Sequence, residues 1–137
     1  MKATKREGID YGALADFRYE IRRFLSFSER AAHATGIEPQ QHQTLLALKG
    51  LPKNQKATVG ALTERLQIRH HTAVGLTDRL AAKRLITRAI GREDRREVLL
   101  ALTRRGEKML RKISLSHHAE LSSAGPRLLR ALEQGCD

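Results

Sequence analysis

The chain has 137 residues, enough for one domain and short for two, with 26 Lys and Arg against 15 Asp and Glu and a formal net charge of +11 at pH 7. Aromatic residues make up 4% with no Trp, which disfavours binding of single strands on stacking platforms, and one cysteine excludes an internal disulfide or a cysteine-based zinc site. No apolar stretch reaches the ~18–20 residues that span a bilayer, and residues 1–10 lack the apolar run of a signal peptide, so a cytoplasmic protein with no membrane partner is expected.

The charge is local. Residues 51–112 hold 16 Lys and Arg against 6 Asp and Glu, a net of +10, whereas the other 75 residues hold 10 and 9. So concentrated a field attracts polyanions, duplex DNA first and an anionic membrane second.

In chain order, Leu14, Phe17, Ile21, Phe24 and Leu25 recur at three- and four-residue spacing, with Ala31 and Ala32 continuing the stripe. That period predicts an amphipathic helix, stopped by Gly36. A second helix starts near Glu38-Pro39, with Pro at its first position, carries Leu45, Leu46 and Leu48, and ends at Gly50-Leu51-Pro52. Thr58 caps a short helix from Val59 to Leu66. A further helix follows after a turn of three or four residues, from His70 to about Lys83, with Ala73, Leu76, Thr77 and Leu80 facing the core. Two short helices joined so tightly form a helix-turn-helix pattern.

The period then changes. Residues 85–90 and 97–102 read as paired strands around the polar loop Gly91 to Arg96, a basic hairpin that makes the unit a winged helix. Thr103 caps another amphipathic helix carrying Met109, Leu110, Ile113 and Leu121. Gly125-Pro126 is expected to break it, leaving a last helix through Leu128, Leu129 and Leu132. The fold class is mainly α with a small β-hairpin wing.

The stretch LTERLQIRHHTAVGLTDRLAAKRLITRAIGREDRREVLLALTRRGEKML, residues 62–110, resembles the MarR-type winged-helix transcriptional regulators. The wing pair Asp94 and Arg96 and the sequence Leu102-Thr103-x-x-Gly106 match that family's pattern, and the order of helices agrees over roughly residues 10–134. Two positions depart from it. Arg84 stands where many members have Gly, which implies a strained turn, and Arg69 stands where an Asp often caps the recognition helix.

The resemblance implies one MarR-type domain over residues 1–137, with a DNA-binding winged helix at about 53–104 between dimerisation helices at about 10–36 and 104–134. It also implies a homodimer on a palindromic operator, since two recognition helices then lie about one helical turn apart. A repressor released by a small aromatic or phenolic effector is the function it suggests, with no named effector residues.

The expected DNA contacts are Arg69, His70, His71, Thr72, Gly75 and Arg79 on the recognition helix, with Arg88 and the wing residues Arg92, Arg95 and Arg96. His, Thr and Arg can hydrogen-bond base edges or phosphates, Gly75 removes bulk at the closest approach, and an arginine-rich hairpin suits the minor groove. The plainer reading of these side chains is a solvated polar face. By resemblance, Asp94 orients the wing through Arg96. Lys53 and Lys56 are weaker phosphate candidates.

Of the six histidines, His117 and His118 are adjacent and diverge by about 100° on a helix. No His-x-x-x-His spacing occurs, so no metal site is expected. Cys136 reads as a bystander thiol. No cofactor motif or catalytic constellation is present, and an enzyme is not expected. Two other readings stay open: an architectural DNA-binding protein without effector or sequence preference, and a surface-interaction module built on the end helices.

Overall fold

The computed structural model describes residues 8–136; the N-terminal stretch read for a signal peptide lies mostly outside them. Five helices and one hairpin follow in order: α1 (Tyr11–Thr35), α2 (Pro39–Lys49), α3 (Val59–Leu66), α4 (His70–Ala82), β1 (Ile86–Ile90), β2 (Val98–Leu102) and α5 (Arg104–Cys136). The chain divides into two compact units, one running from Ala32 to Ile113 and the other made of the chain up to Ala31 and from Ser114 on.

The Ala32–Ile113 unit is the winged helix, and its boundaries follow from local chemistry. Gly36, at φ +90°, ends α1, with its N–H on the His33 carbonyl at 3.0 Å. A reciprocal capping box then opens α2: the Glu38 side chain accepts from the Gln41 N–H, and the Gln41 side chain accepts from the Glu38 N–H at 3.2 Å. The Thr58 hydroxyl accepts from the Ala61 N–H at 3.2 Å and starts α3. Gln67, at φ +54°, turns the chain into α4.

Arg84, at φ +60°, ends α4 in a Schellman turn, with its N–H on the Ala81 carbonyl at 3.0 Å and the Leu85 N–H on the Leu80 carbonyl at 2.9 Å. A side chain stands here in the left-handed region that glycine fills more easily. The strained turn expected at this position is therefore present.

The core of this unit is Leu45, Leu62, Leu80 and Leu85, all fully buried, with Leu48, Leu76, Ile86, Leu100, Leu110 and Ile113 around them. Each such leucine contributes about 1.5–3 kcal/mol on leaving water. Helix α4 buries Ala73, Leu76, Thr77 and Leu80, the four positions expected. The hairpin is antiparallel with Arg88 opposite Leu100, and the Leu100 N–H also donates to the Ala57 carbonyl at 2.8 Å, anchoring β2 to the loop before α3.

The other unit pairs the N-terminal part of α1 with the C-terminal part of α5. Small residues, Ala13, Ser28, Ala124 and Ala131, are its buried positions. His117 presents its Nε2 to the Ser28 hydroxyl at 2.7 Å and meets Phe24 and Phe27 edge-on, and Arg127 holds Glu20 at 3.2 Å. Only part of the expected stripe is covered. Leu14 and Leu25 are exposed, as are Leu115, Leu121, Leu129 and Leu132.

The break expected at Gly125-Pro126 is absent: α5 is one helix with Pro126 inside it. One feature favours this: Gly125, the residue before the proline, has no Cβ to crowd its ring.

Candidate nucleic-acid interface

The recognition-helix candidates lie at and beyond the start of α4. Arg69 is its N-cap residue, in extended conformation and making no side-chain cap, so the capping acceptor expected to be missing is missing. His70, His71 and Arg79 are exposed, and Thr72 and Gly75 are half-buried. Gly75 has a role beyond thinness. A Cβ there would sit 3.5–3.9 Å from the Arg79 guanidinium, which lies back along the helix over the glycine.

The wing is built by its turn. The Gly91 N–H donates to the Glu97 carbonyl at 3.0 Å, and the Glu97 N–H donates to the Asp94 carbonyl at 3.1 Å. A Cβ at Gly91 would lie 2.6 Å from the Asp94 carbonyl oxygen, so the loop closes only around glycine. Arg92 and Arg95 project into solvent, and the Arg96 side chain is 92% exposed.

Asp94 holds Arg96 from both ends. Its Oδ1 accepts from the Arg96 N–H at 3.0 Å and Nε at 3.2 Å, and its Oδ2 accepts from Nη2 at 3.4 Å. The Arg96 side-chain and backbone donors, helped by the charge of Lys56, hold the Asp94 carboxyl below the usual carboxylate range. The wing pair implied by the family pattern is therefore formed.

Between α4 and the wing lies a concavity of about 560 Å³. His70, Arg88 and Arg96 line it together with Thr58, Val59 and Gly60 at the start of α3. The structure thus gathers three of the candidates around one hollow and adds the opening turn of α3, which sequence reasoning missed. A Thr cap followed by Gly60 is the trace it leaves in the sequence.

Two cations are less available than expected. Arg88 is ion-paired with Asp78 of α4. Lys56 donates to Glu97 at 3.0 Å, and that carboxylate raises its pKa above the ordinary lysine value. Charge counting cannot reveal such pairs, because the partners are 10 and 41 residues apart. Among the described residues no three His, Cys, Asp or Glu side chains gather as metal ligands, no helix is long and apolar enough to cross a membrane, and Cys136 is an exposed free thiol.

Comparison with known proteins gives these elements a common frame. Residues 35–97 match the family model described as MarR family. No curated protein sequence matches the chain. Among solved structures, MepR, a transcription regulator of the Staphylococcus aureus multidrug efflux pump MepA, is 21% identical over 88% of this chain and 85% of its own, with a TM-score of 0.72. A MepR variant from S. aureus bound to an oligodeoxyribonucleotide is 23% identical over 86% and 84%, with a TM-score of 0.66. CouR from Rhodococcus jostii RHA1, bound to p-coumaroyl-CoA, is 20% identical over 74% and 69%, with a TM-score of 0.64. Residues 35–97 thus match the MarR family over the helix-turn-helix and most of the wing, and the chain shares the winged-helix fold of these solved structures over most of its length.

Proposed function

We propose that this protein is a cytoplasmic homodimer that binds a palindromic operator in double-stranded DNA and represses transcription until a small aromatic or phenolic effector releases it. The observation that carries the reading is the hollow between α4 and the wing, which His70, Arg88 and Arg96 line together. His71 and Arg79 on α4 and Arg92 and Arg95 on the wing are exposed as well, within the segment of net charge +10. Recognition-helix residues read base edges in the major groove, while the wing arginines enter the narrow minor groove. Arg69, Thr72 and Arg88 supply phosphate contacts, and Asp94 keeps Arg96 aimed.

Dimerisation is supported by the exposed leucines of α1 and α5, an apolar surface that a second copy would cover. Effector release is supported by the fold shared with CouR, a protein seen with p-coumaroyl-CoA. An effector acts only through a difference in affinity between the DNA-competent and incompetent states.

Selection of bound duplexes from a random pool, followed by anisotropy titrations at fixed salt, tests the reading. A palindrome should emerge and bind at least 1,000-fold tighter than random duplex, on the order of the usual specific-to-non-specific ratio. Arg79→Ala and Arg96→Ala should each cost roughly 1–3 kcal/mol on it. Equal affinity for palindromic and random DNA would favour the architectural reading. Unchanged affinity in both variants would remove those residues from the interface.

A further inference from the structure

The winged-helix face leaves unexplained a second basic concavity, in the unit made of the chain up to Ala31 and from Ser114 on. It measures about 470 Å³, within the usual range of small-molecule sites. Tyr19, Arg22, Arg23, Phe27 and Arg30 of α1 line it, with Glu120 of α5. Three guanidiniums face one carboxylate.

Their partners decide what the hollow can take. Arg23 lies over the Tyr19 ring, 5.6 Å from its centroid, and reaches Glu20 only at 3.8 Å. Arg30 donates to the Ser26 hydroxyl at 2.9 Å, a neutral acceptor that leaves its charge uncompensated. Among the described residues Arg22 and Glu120 make no hydrogen bond or ion pair. Tyr19 keeps 57% of its surface exposed.

Arg22 and Arg30 are eight residues apart, about 12 Å along the helix axis. One carboxylate cannot satisfy both, so the matching anion carries more than one charge or extends along the groove. Guanidiniums fit phosphate oxygens in paired hydrogen bonds. Glu120 asks for a donor, such as a sugar hydroxyl, and Tyr19 offers a face for a planar ring. We propose that this groove binds a nucleoside phosphate, with the phosphates on Arg22 and Arg30, the base against Tyr19 and the ribose hydroxyls on Glu120.

Calorimetry on the full chain with ADP as the probe tests this. A saturable isotherm of one ADP per chain is expected, with adenosine and inorganic pyrophosphate each at least tenfold weaker. The Arg22→Ala, Arg30→Ala double variant should lose tenfold or more in ADP affinity, while its circular dichroism and its DNA affinity without ligand stay as in wild type. Independently of any variant, ADP should protect Arg22 and Arg30 of the wild-type protein from phenylglyoxal, read by peptide mass spectrometry.

No heat and no protection at millimolar ADP would overturn the proposal, and equal affinity for pyrophosphate would overturn the nucleoside assignment. A double variant that changes oligomeric state, in a protein that binds no ADP, would make the groove an interface between copies and overturn it too. The operator reading stands or falls separately, because Arg96→Ala should weaken DNA binding and leave ADP binding untouched.

Discussion

Gly106 fixes the joint between the recognition helix and α5, and replacing it by alanine should nearly unfold that joint. An added Cβ would fall onto the Leu85 carbonyl oxygen and lie 3.1 Å from its carbon. The obstacle is backbone, and Leu85 is fully buried, so neither side can swing away. The same oxygen accepts the Thr103 N–H at 3.0 Å, and the Thr103 hydroxyl accepts the Gly106 N–H at 3.0 Å and donates to the Arg84 carbonyl at 2.7 Å.

Forcing the backbones apart costs about 3 kcal/mol, the upper end of ordinary overpacking. The lost Thr103 hydrogen bond adds about 1 kcal/mol, and the better helix propensity of alanine returns about 1 kcal/mol. The net is a destabilisation of about 3 kcal/mol, a large share of a small domain's total stability. Urea denaturation followed by circular dichroism, at fixed protomer concentration because dimers couple stability to concentration, would measure it. Gly12→Ala is the control, since its Cβ meets only Asp10 Oδ1 at an ordinary 3.5 Å. A Gly106→Ala protein within about 0.5 kcal/mol of wild type, the ordinary range for surface substitutions, would refute the steric reasoning.

Two further outcomes are expected. Asp94→Asn should free the Arg96 side chain and weaken operator binding, measured by anisotropy. In wild type the carboxyl is held below its ordinary value, so its ordering effect is complete above the ordinary carboxylate pKa and is lost only as pH falls through the lowered one; carboxyl-carbon NMR shifts that titrate at or above the ordinary value would contradict this. Arg84→Gly should relieve a left-handed residue that costs roughly 1–2 kcal/mol, less the entropy glycine gains when unfolded. Its urea midpoint should therefore rise modestly, and a fall would show that the arginine side chain contributes more than its backbone costs.

Where sequence reading worked, the chemistry was local. Thr58 and Thr103 are caps because a hydroxyl reaches an N–H three residues on, and Gly36 stops α1 because it reaches a positive φ cheaply. The four inward positions of α4 followed from helical period alone. Of the interface, the Asp94–Arg96 pair was readable because its members are two residues apart.

What was not readable depends on neighbours in space. Proline at 126 signals a break, yet the helix continues through it, with Gly125 before it offering no Cβ to crowd the ring. The apolar period of α1 foretold a helix but not which leucines the chain itself covers, and Leu14 and Leu25 stay exposed. Arg88 and Lys56 looked like free cations until the fold brought Asp78 and Glu97 to them.

That last pairing has a consequence for how the protein would meet a duplex. Asp78 is a counterion carried by α4 itself, and diluting the buffer cannot remove it. Arg88 and Asp78 together carry no net charge, so a phosphate that meets Arg88 also meets the carboxylate held beside it. Arg88 would then add little to the steepness with which affinity falls as salt rises, which follows the phosphates neutralised, about 0.9 per contact on duplex DNA. Such a pair would trim non-specific attraction and leave Arg92 and Arg95 of the wing to set the salt response.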